Sequence, residues 1–183
     1  MMMERIRREH SYMVRLLAVL NQKIKQLQAE QSINYSVVKE VVDYLASHSE
    51  RVHHPKEDIL YHYYMEHYGH KDEIENLEYE HEILSDKTHE FLNIVEMILQ
   101  DAVVPQDMFI EQLESFILAQ KRHLEMEERS ILPLIDKSFN FHDWQEVEKQ
   151  WNLGEDDPVF GATIAEEYQQ IAARVRQGEH ESI

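Results

Sequence analysis

The stretch His53-His54-Pro55-Lys56-Glu57-Asp58, read together with His123-Leu124-Glu125-Met126-Glu127, decides how this chain folds. Each holds an HxxxE spacing. On a helix, residues four apart lie above one another on one face, so each pair presents an imidazole and a carboxylate within reach of a common metal centre. One such pair is weak evidence, because charged helices place His and Glu four apart by chance. Two pairs, with His10 and His81 in matching places on other segments, make a pattern.

The residues around these groups recur at helical spacing. Ile6, His10, Met13, Leu17, Leu20, Ile24 and Leu27 alternate steps of four and three, which predicts a helix from about Met3 to Glu30 with one face turned inward. His10 occupies that inward face. Asn34 or Ser36 is available to cap a second helix, in which Val38, Val42, Leu45 and Ala46 lead into His53, Glu57, Leu60 and Tyr64. Pro55 lies inside it and is expected to kink it beside His53; the alternative is that Pro55 ends one helix and starts another. Gly69 supplies a stop. A third helix from near Asp72 carries Ile74, Leu77, His81, Leu84, Thr88, Phe91, Val95 and Ile98 inward, with His89 beside the stripe at the surface. After a turn at Asp101 to Pro105, the fourth places Phe109, Leu113, Phe116, Gln120, His123, Glu127, Ile131 and Leu134 inward, with Pro133 close to its end.

Only four Gly and four Pro in 183 residues argue for long helices with few turns, and no alternating β-type run stands out. The expected fold is all-α: an up-and-down four-helix bundle over residues 1–138, followed by a C-terminal helical extension over 139–183. That extension carries Trp144 and Trp151, then a turn from Gly154 to Gly161 containing Asp157-Pro158. A last amphipathic helix through Phe160, Ile164, Tyr168, Ile171 and Val175 is expected to pack on the bundle or to join a second copy in a homodimer. From Gln177 the chain is expected to fray.

The formal charge of −18 at pH 7 opposes nucleic acid and anionic membrane as partners and favours cations, although most of the acids read simply as solvated helix surface. The absence of cysteine excludes disulfides, thiolate metal sites and a Cys nucleophile, so metal ligands have to be nitrogen and oxygen. No apolar run approaches the roughly 20 residues that span a bilayer, and the segment from Met1 to His10 is charged. A cytoplasmic protein is the simplest expectation. Twelve histidines are a surplus that hints at metal.

Chain lengths place the polar insertions in one layer. From His10 to the turn near residue 32 the chain runs about 22 positions, and from there to His53 and Glu57 about 21 to 25, which at roughly 1.5 Å per residue puts these groups at the same level. From His81 to the turn near residue 103 it runs about 22, and from there to His123 and Glu127 about 20 to 24; across the turn near residue 70 the counts, about 11 and about 13 to 17, differ by around one helical turn. Four imidazoles and two carboxylates are more than one ion commonly takes from protein. Two ions, with His10 and His53 on one, His81 and His123 on the other, and Glu57 and Glu127 spanning both, account for every group. The metal-free alternative is a buried hydrogen-bond network of the same side chains.

His10, the HHPKED stretch with His53 and Glu57, the Glu80-His81 pair, and His123 to Glu127 followed by Ile131-Leu132-Pro133 together resemble the hemerythrin-like, or HHE cation-binding, proteins over roughly residues 1–138. The resemblance implies a non-haem diiron site, bridged by carboxylates and an oxo or hydroxo group, that meets O2, NO or a related small molecule. The O2-carrying hemerythrins differ in having a second histidine four residues after the first on the third helix, where this chain has Ser85. That departure leaves more open coordination, for water, an exogenous ligand or a side chain such as His54. It turns the expectation from reversible O2 carriage toward a site that reacts, senses or stores. Iron itself comes from the resemblance, since imidazole-rich sites suit Fe, Zn and Cu comparably. The alternatives are a diiron oxidoreductase of peroxidase or NO-reducing type, and an interaction bundle with metal-responsive regulation. Ferritin-like proteins resemble a pattern of Glu with ExxH pairs instead, and no nucleophile with a helping base is recognisable.

Overall fold

The computed structural model describes residues 1–151 and 157–180, and every regular element among them is helical. Helix α1 (Met2–Gln28) ends in a turn where Glu30 takes a positive φ of 59°. A long helical run follows: α2 (Tyr35–Tyr44), a π-helical stretch (Leu45–His53) and α3 (His54–Tyr68). Of the two expected caps it is Asn34 that serves, its side chain accepting from the Ser36 N–H at 3.0 Å. Gly69 stops the run with a φ of 105°, a conformation that side chains rarely adopt. Helix α4 (Asp72–Leu99) leads through Asp101, also at positive φ, into α5 (Gln106–Met126), a short π-helical stretch (Glu127–Ile131) and α6 (Leu132–Ser138).

The expected kink at Pro55 takes a different form. Proline has no N–H to donate and its ring crowds the carbonyl four residues back. In both runs the turns ahead of a proline widen into π-helix, before Pro55 and again before Pro133, and the α-helix then resumes with the proline in its first turn. Neither run is broken into two separate helices.

Helix α1 packs against α5 and α2, α2 against α4, and α4 against α5. Their apolar faces form two separate cores. One holds Met13, Leu17, Leu20, Val38, Val42, Phe91, Val95, Phe109 and Leu113, and the other holds Ile6, Leu60, Tyr61, Ile74, Leu77, Ile131 and Ile135. Between Ile6 and Met13 on α1, and between Leu77 and Leu84 on α4, come the buried histidines, so a polar layer is sandwiched between apolar cores.

Beyond Ser138 the sequence reading expects no helix before the last one, yet α7 (Phe141–Gln150) forms there. Its start is a reciprocal cap: Asn140 accepts from the Asp143 N–H at 3.0 Å, and Asp143 accepts from the Asn140 N–H at 2.8 Å. Asp143 also receives the Tyr63 hydroxyl at 2.8 Å and the Tyr68 hydroxyl, which fastens α7 to α3. The Gly154 portion of the expected turn lies outside the described residues. After it, Asp157 accepts from the N–H groups of Val159 and Phe160 and from the Tyr44 hydroxyl at 2.7 Å. A 3-10 turn (Glu166–Tyr168) then opens α8 (Gln169–His180), which packs on α2 and α1. None of the helices among the described residues is long and apolar enough to cross a membrane.

Replacing Asn140 by Ala removes the cap that starts α7 and is expected to cost about 1 kcal/mol, read as a lower urea midpoint with unchanged slope. An unchanged midpoint would mean that Asn140 does not hold α7.

Candidate metal centre

His53 and Glu57 sit one turn apart at the start of α3, and His123 and Glu127 span the end of α5. His10 projects from the N-terminal third of α1 and His81 from α4. All six are buried, Glu57 and Glu127 at 0% exposure. Two groups of possible metal-binding atoms result, His10 with His53 and Glu57, and Glu57 with His81, His123 and Glu127, the atoms of each group lying within 4.8 Å of one another. Every residue expected from the sequence is thus brought into one connected cluster.

Within it each carboxylate divides its two oxygens. Glu57 Oε1 lies 2.6 Å from His10 Nε2 and 2.8 Å from His53 Nε2, while its Oε2 lies 3.2 Å from His81 Nε2. Glu127 Oε1 lies 3.3 Å from His81 Nε2 and 3.0 Å from His123 Nε2, while its Oε2 lies 3.4 Å from His10 Nε2. Four of these buried atoms, His53 Nε2, His123 Nε2, Glu57 Oε2 and Glu127 Oε2, have no hydrogen-bond partner. Buried polar atoms are rarely left so, and a cation between them satisfies all four at once.

The outward nitrogen of every imidazole meets a carboxylate. His10 Nδ1 is 2.7 Å from Glu128, His53 Nδ1 2.7 Å from Glu9, His81 Nδ1 3.0 Å from Asp58 and His123 Nδ1 2.9 Å from Glu80. With Nδ1 held by a carboxylate, each Nε2 is aimed inward, where it can ligate a metal once its own proton has left. Glu9 in turn accepts from Lys56 at 2.7 Å and Arg5 at 3.1 Å, and the Tyr61 hydroxyl donates to Glu127 Oε1 at 2.8 Å.

Sequence reasoning gave these orienting acids no individual roles. A signal was present, because each stands directly beside a cluster residue: Glu9-His10, Glu57-Asp58, Glu80-His81 and Glu127-Glu128. His54 is not among the converging groups; its ring stacks on His81 with centroids 4.1 Å apart, and its Nε2 lies 3.5 Å from the Ser49 hydroxyl. Gln120 points elsewhere too, to the Thr88 hydroxyl at 3.3 Å. His89 is at the surface as expected, beside Glu50. The further group His70, Asp72 and Glu75 is exposed at the surface.

Charge sets the protonation of the layer. Burial pushes the His10 imidazole down, but Glu128 and Glu57 outweigh it and raise its pKa to about 10. Burial likewise opposes His81, which Asp58, Glu127 and Glu57 raise to about 12. Burial and the nearby Glu57 push Glu127 up, yet His123 and His81 bring it to about 2. Glu57 is held well below its usual value by His53, His10 and His81 against the same burial. Glu9, also opposed by burial, is lowered to about 2 by His53 and Lys56. His54 goes the other way: burial first, then the charge on His81, lower it to about 3.

A family model described as the Hemerythrin HHE cation binding domain matches residues 1–135. No curated protein and no solved structure matches the chain.

Protein stripped with a chelator is expected to lose stability on both sides of neutrality. The raised pKa values of His10 and His81 contribute stability that is fully present below about 6.5 and lost as pH rises toward about 10 and beyond. The lowered Glu9 and Glu127 contribute stability present above about 4.5 and lost as pH falls toward about 2. Thermal midpoints across this range test it. A midpoint that is flat from pH 7 to 10 would mean the imidazoles are not proton-loaded by these carboxylates.

Proposed function

We propose that this chain, which belongs to the hemerythrin HHE cation-binding domain family, holds two iron ions in an up-and-down four-helix bundle over residues 1–138 and there binds or senses O2, NO or a related small molecule. The observation that carries this reading is the shared carboxylates. His10, His53, Glu57 Oε1 and Glu127 Oε2 make up one ligand set, and His81, His123, Glu57 Oε2 and Glu127 Oε1 make up the other. Each carboxylate gives one oxygen to each set, which is how two ions side by side are bridged.

Electrostatics supports the same assignment. Six carboxylates, Glu57, Glu127, Glu9, Asp58, Glu80 and Glu128, surround four imidazoles, while Lys56 and Arg5 bond to Glu9 and Arg7 lies 3.8 Å from Glu128. Divalent cations supply the positive charge that such a layer calls for. The imidazoles ligate through Nε2, held in place by the acids on Nδ1. The apolar cores above and below keep bulk water from the layer.

Iron bound here supplies a redox-active centre with positions that protein atoms do not fill, where a small molecule can bind. Each ligand set has two imidazoles and two carboxylate oxygens, fewer donors than the six of an octahedral site. Ser85, half-buried one turn beyond His81, stands where a fifth imidazole would make the two sets unequal. An even and open donor set favours a site that reacts, senses or stores over a reversible O2 carrier. The partner in this reading is a small molecule, not nucleic acid or membrane. Catalytic consumption of peroxide or NO with a reductant, as opposed to stoichiometric binding, would make the protein an oxidoreductase.

Anaerobic reconstitution followed by elemental analysis is expected to give about two irons per chain. His53→Ala should lower that to one or none while circular dichroism reports the same helix content; retention of both irons would overturn the ligand assignment. Glu80→Gln loosens the hold on His123 and should weaken metal affinity by about 10- to 100-fold in a chelator competition, with the fold unchanged. Unaltered affinity would remove Glu80 from the site.

A further inference from the structure

Two surface cavities reach the polar layer from different sides, and their linings differ in charge. The first, about 460 Å³, is lined by Glu50, His54, Asp58, His81, Glu82 and Asp86, with Ser85 and Pro55 completing its wall. It presents four carboxylates and no lysine or arginine. The second, about 280 Å³, lies on the His10 side and is lined by Val14, Leu124, Lys121, Arg129, Glu125 and Glu128, so its two cations offset its two acids. A cation arriving from solvent meets a favourable field at the first and none at the second.

The floor of the acidic cavity leads directly to the cluster. His81 lines it, and His81 Nε2 lies 3.2 Å from Glu57 Oε2, a fully buried oxygen without a hydrogen-bond partner. Asp58, which holds His81 Nδ1, lines it as well, its side chain 38% exposed. His54 lines the same cavity and lies against the cluster. Its ring stacks on His81 and lies 5.8 Å from the His53 ring and 6.2 Å from the His123 ring, centroid to centroid. It is an imidazole among three members of the cluster that belongs to neither ligand set.

We propose that the acidic cavity over His81 is the route by which a divalent cation enters the layer, with Glu82 and Asp86 drawing it in and His54 ligating it in passing before it reaches Glu57 and His81. This rests on the metal-binding reading above. Glu82 and Asp86 lie exposed on α4, outside both ligand sets, so their charge can be removed without touching the cluster. A long-range pull of this kind acts on the rate of uptake and is screened by salt, whereas the content reached with excess iron is set by the number of ligand sets.

The test is the rate at which chelator-stripped full-length protein takes up Fe2+ without oxygen, followed by quenching with a chromogenic chelator, and the iron content at the end by elemental analysis. The wild-type arm comes first: no stable iron there overturns the proposed function itself, before any variant is compared. Given uptake, the double variant Glu82→Gln/Asp86→Asn should load on the order of fivefold more slowly at low salt, approach the wild-type rate at high salt, and reach the same final content. Lys121→Gln, beside the other cavity, should load at the wild-type rate. His54→Gln should load slowly at low and high salt alike, again to full content, because it removes a ligand and not a charge. An unchanged rate in the double variant would overturn the route. So would a lower final content in it, since the acids would then belong to the site and not to its approach. Wild-type kinetics in His54→Gln would remove His54 from the path.

Discussion

Glu57 and Glu127 are wholly buried, and much of the surrounding structure follows from placing two carboxylates where water does not reach. An ionised carboxylate in such a place costs several kcal/mol unless it is paired and hydrogen-bonded. The four imidazoles meet that need, and each creates another, because its outward nitrogen must also find a partner. Glu128, Glu9, Asp58 and Glu80 provide it. For Asp58 and Glu80 the chain of charge then ends at solvent, their side chains being 38% and 49% exposed, while Glu128, 35% exposed, meets the half-exposed Arg7 at 3.8 Å. Glu9 is the exception. Buried at the side of α1, it recruits Lys56, itself buried, and Arg5.

The same constraint acts on the backbone. Two π-helical stretches occur among the described residues, and each meets the cluster: one ends at His53 and the other begins at Glu127. A π turn carries an extra residue and so alters the angle at which following side chains leave the axis. The prolines two residues past His53 and Ile131 explain why the widening happens there, through the missing N–H and the crowded carbonyl. The result is that His53 and Glu57 keep the one-turn spacing of an α-helix, with 2.8 Å between Nε2 and Oε1.

The C-terminal segment is tied down by a different device. Tyrosines reach across to acids on neighbouring elements: the buried Tyr63 and the exposed Tyr68 to Asp143, and the buried Tyr44 and Tyr168 to Asp157 and Asp43. Each hydroxyl brings an apolar ring into the packing and a donor to a carboxylate. Composition alone marks this region as aromatic and charged, without revealing that the two properties are paired. Helix α7 escaped the sequence reading because its inward apolar positions are few, Trp144 and Val147, although its Asn140-to-Asp143 cap is local and could have been found.

By itself the sequence determined the long helices, their turns at Gly69 and Asp101, and the six residues of the cluster. Spacings of three and four along one helix are a local property, and a histidine that interrupts an apolar stripe is visible as such. The carboxylates that orient the imidazoles were visible too, as Glu9-His10, Glu57-Asp58, Glu80-His81 and Glu127-Glu128, but which imidazole each one serves was not. Tertiary structure decided that. Glu9 serves His53 and not His10; Asp58 serves His81; Glu80 serves His123; Glu128 serves His10. Successive residues on a helix point about 100° apart, so an acid next to an inward-facing ligand faces the adjoining helix, and its partner is fixed only when the helices pack.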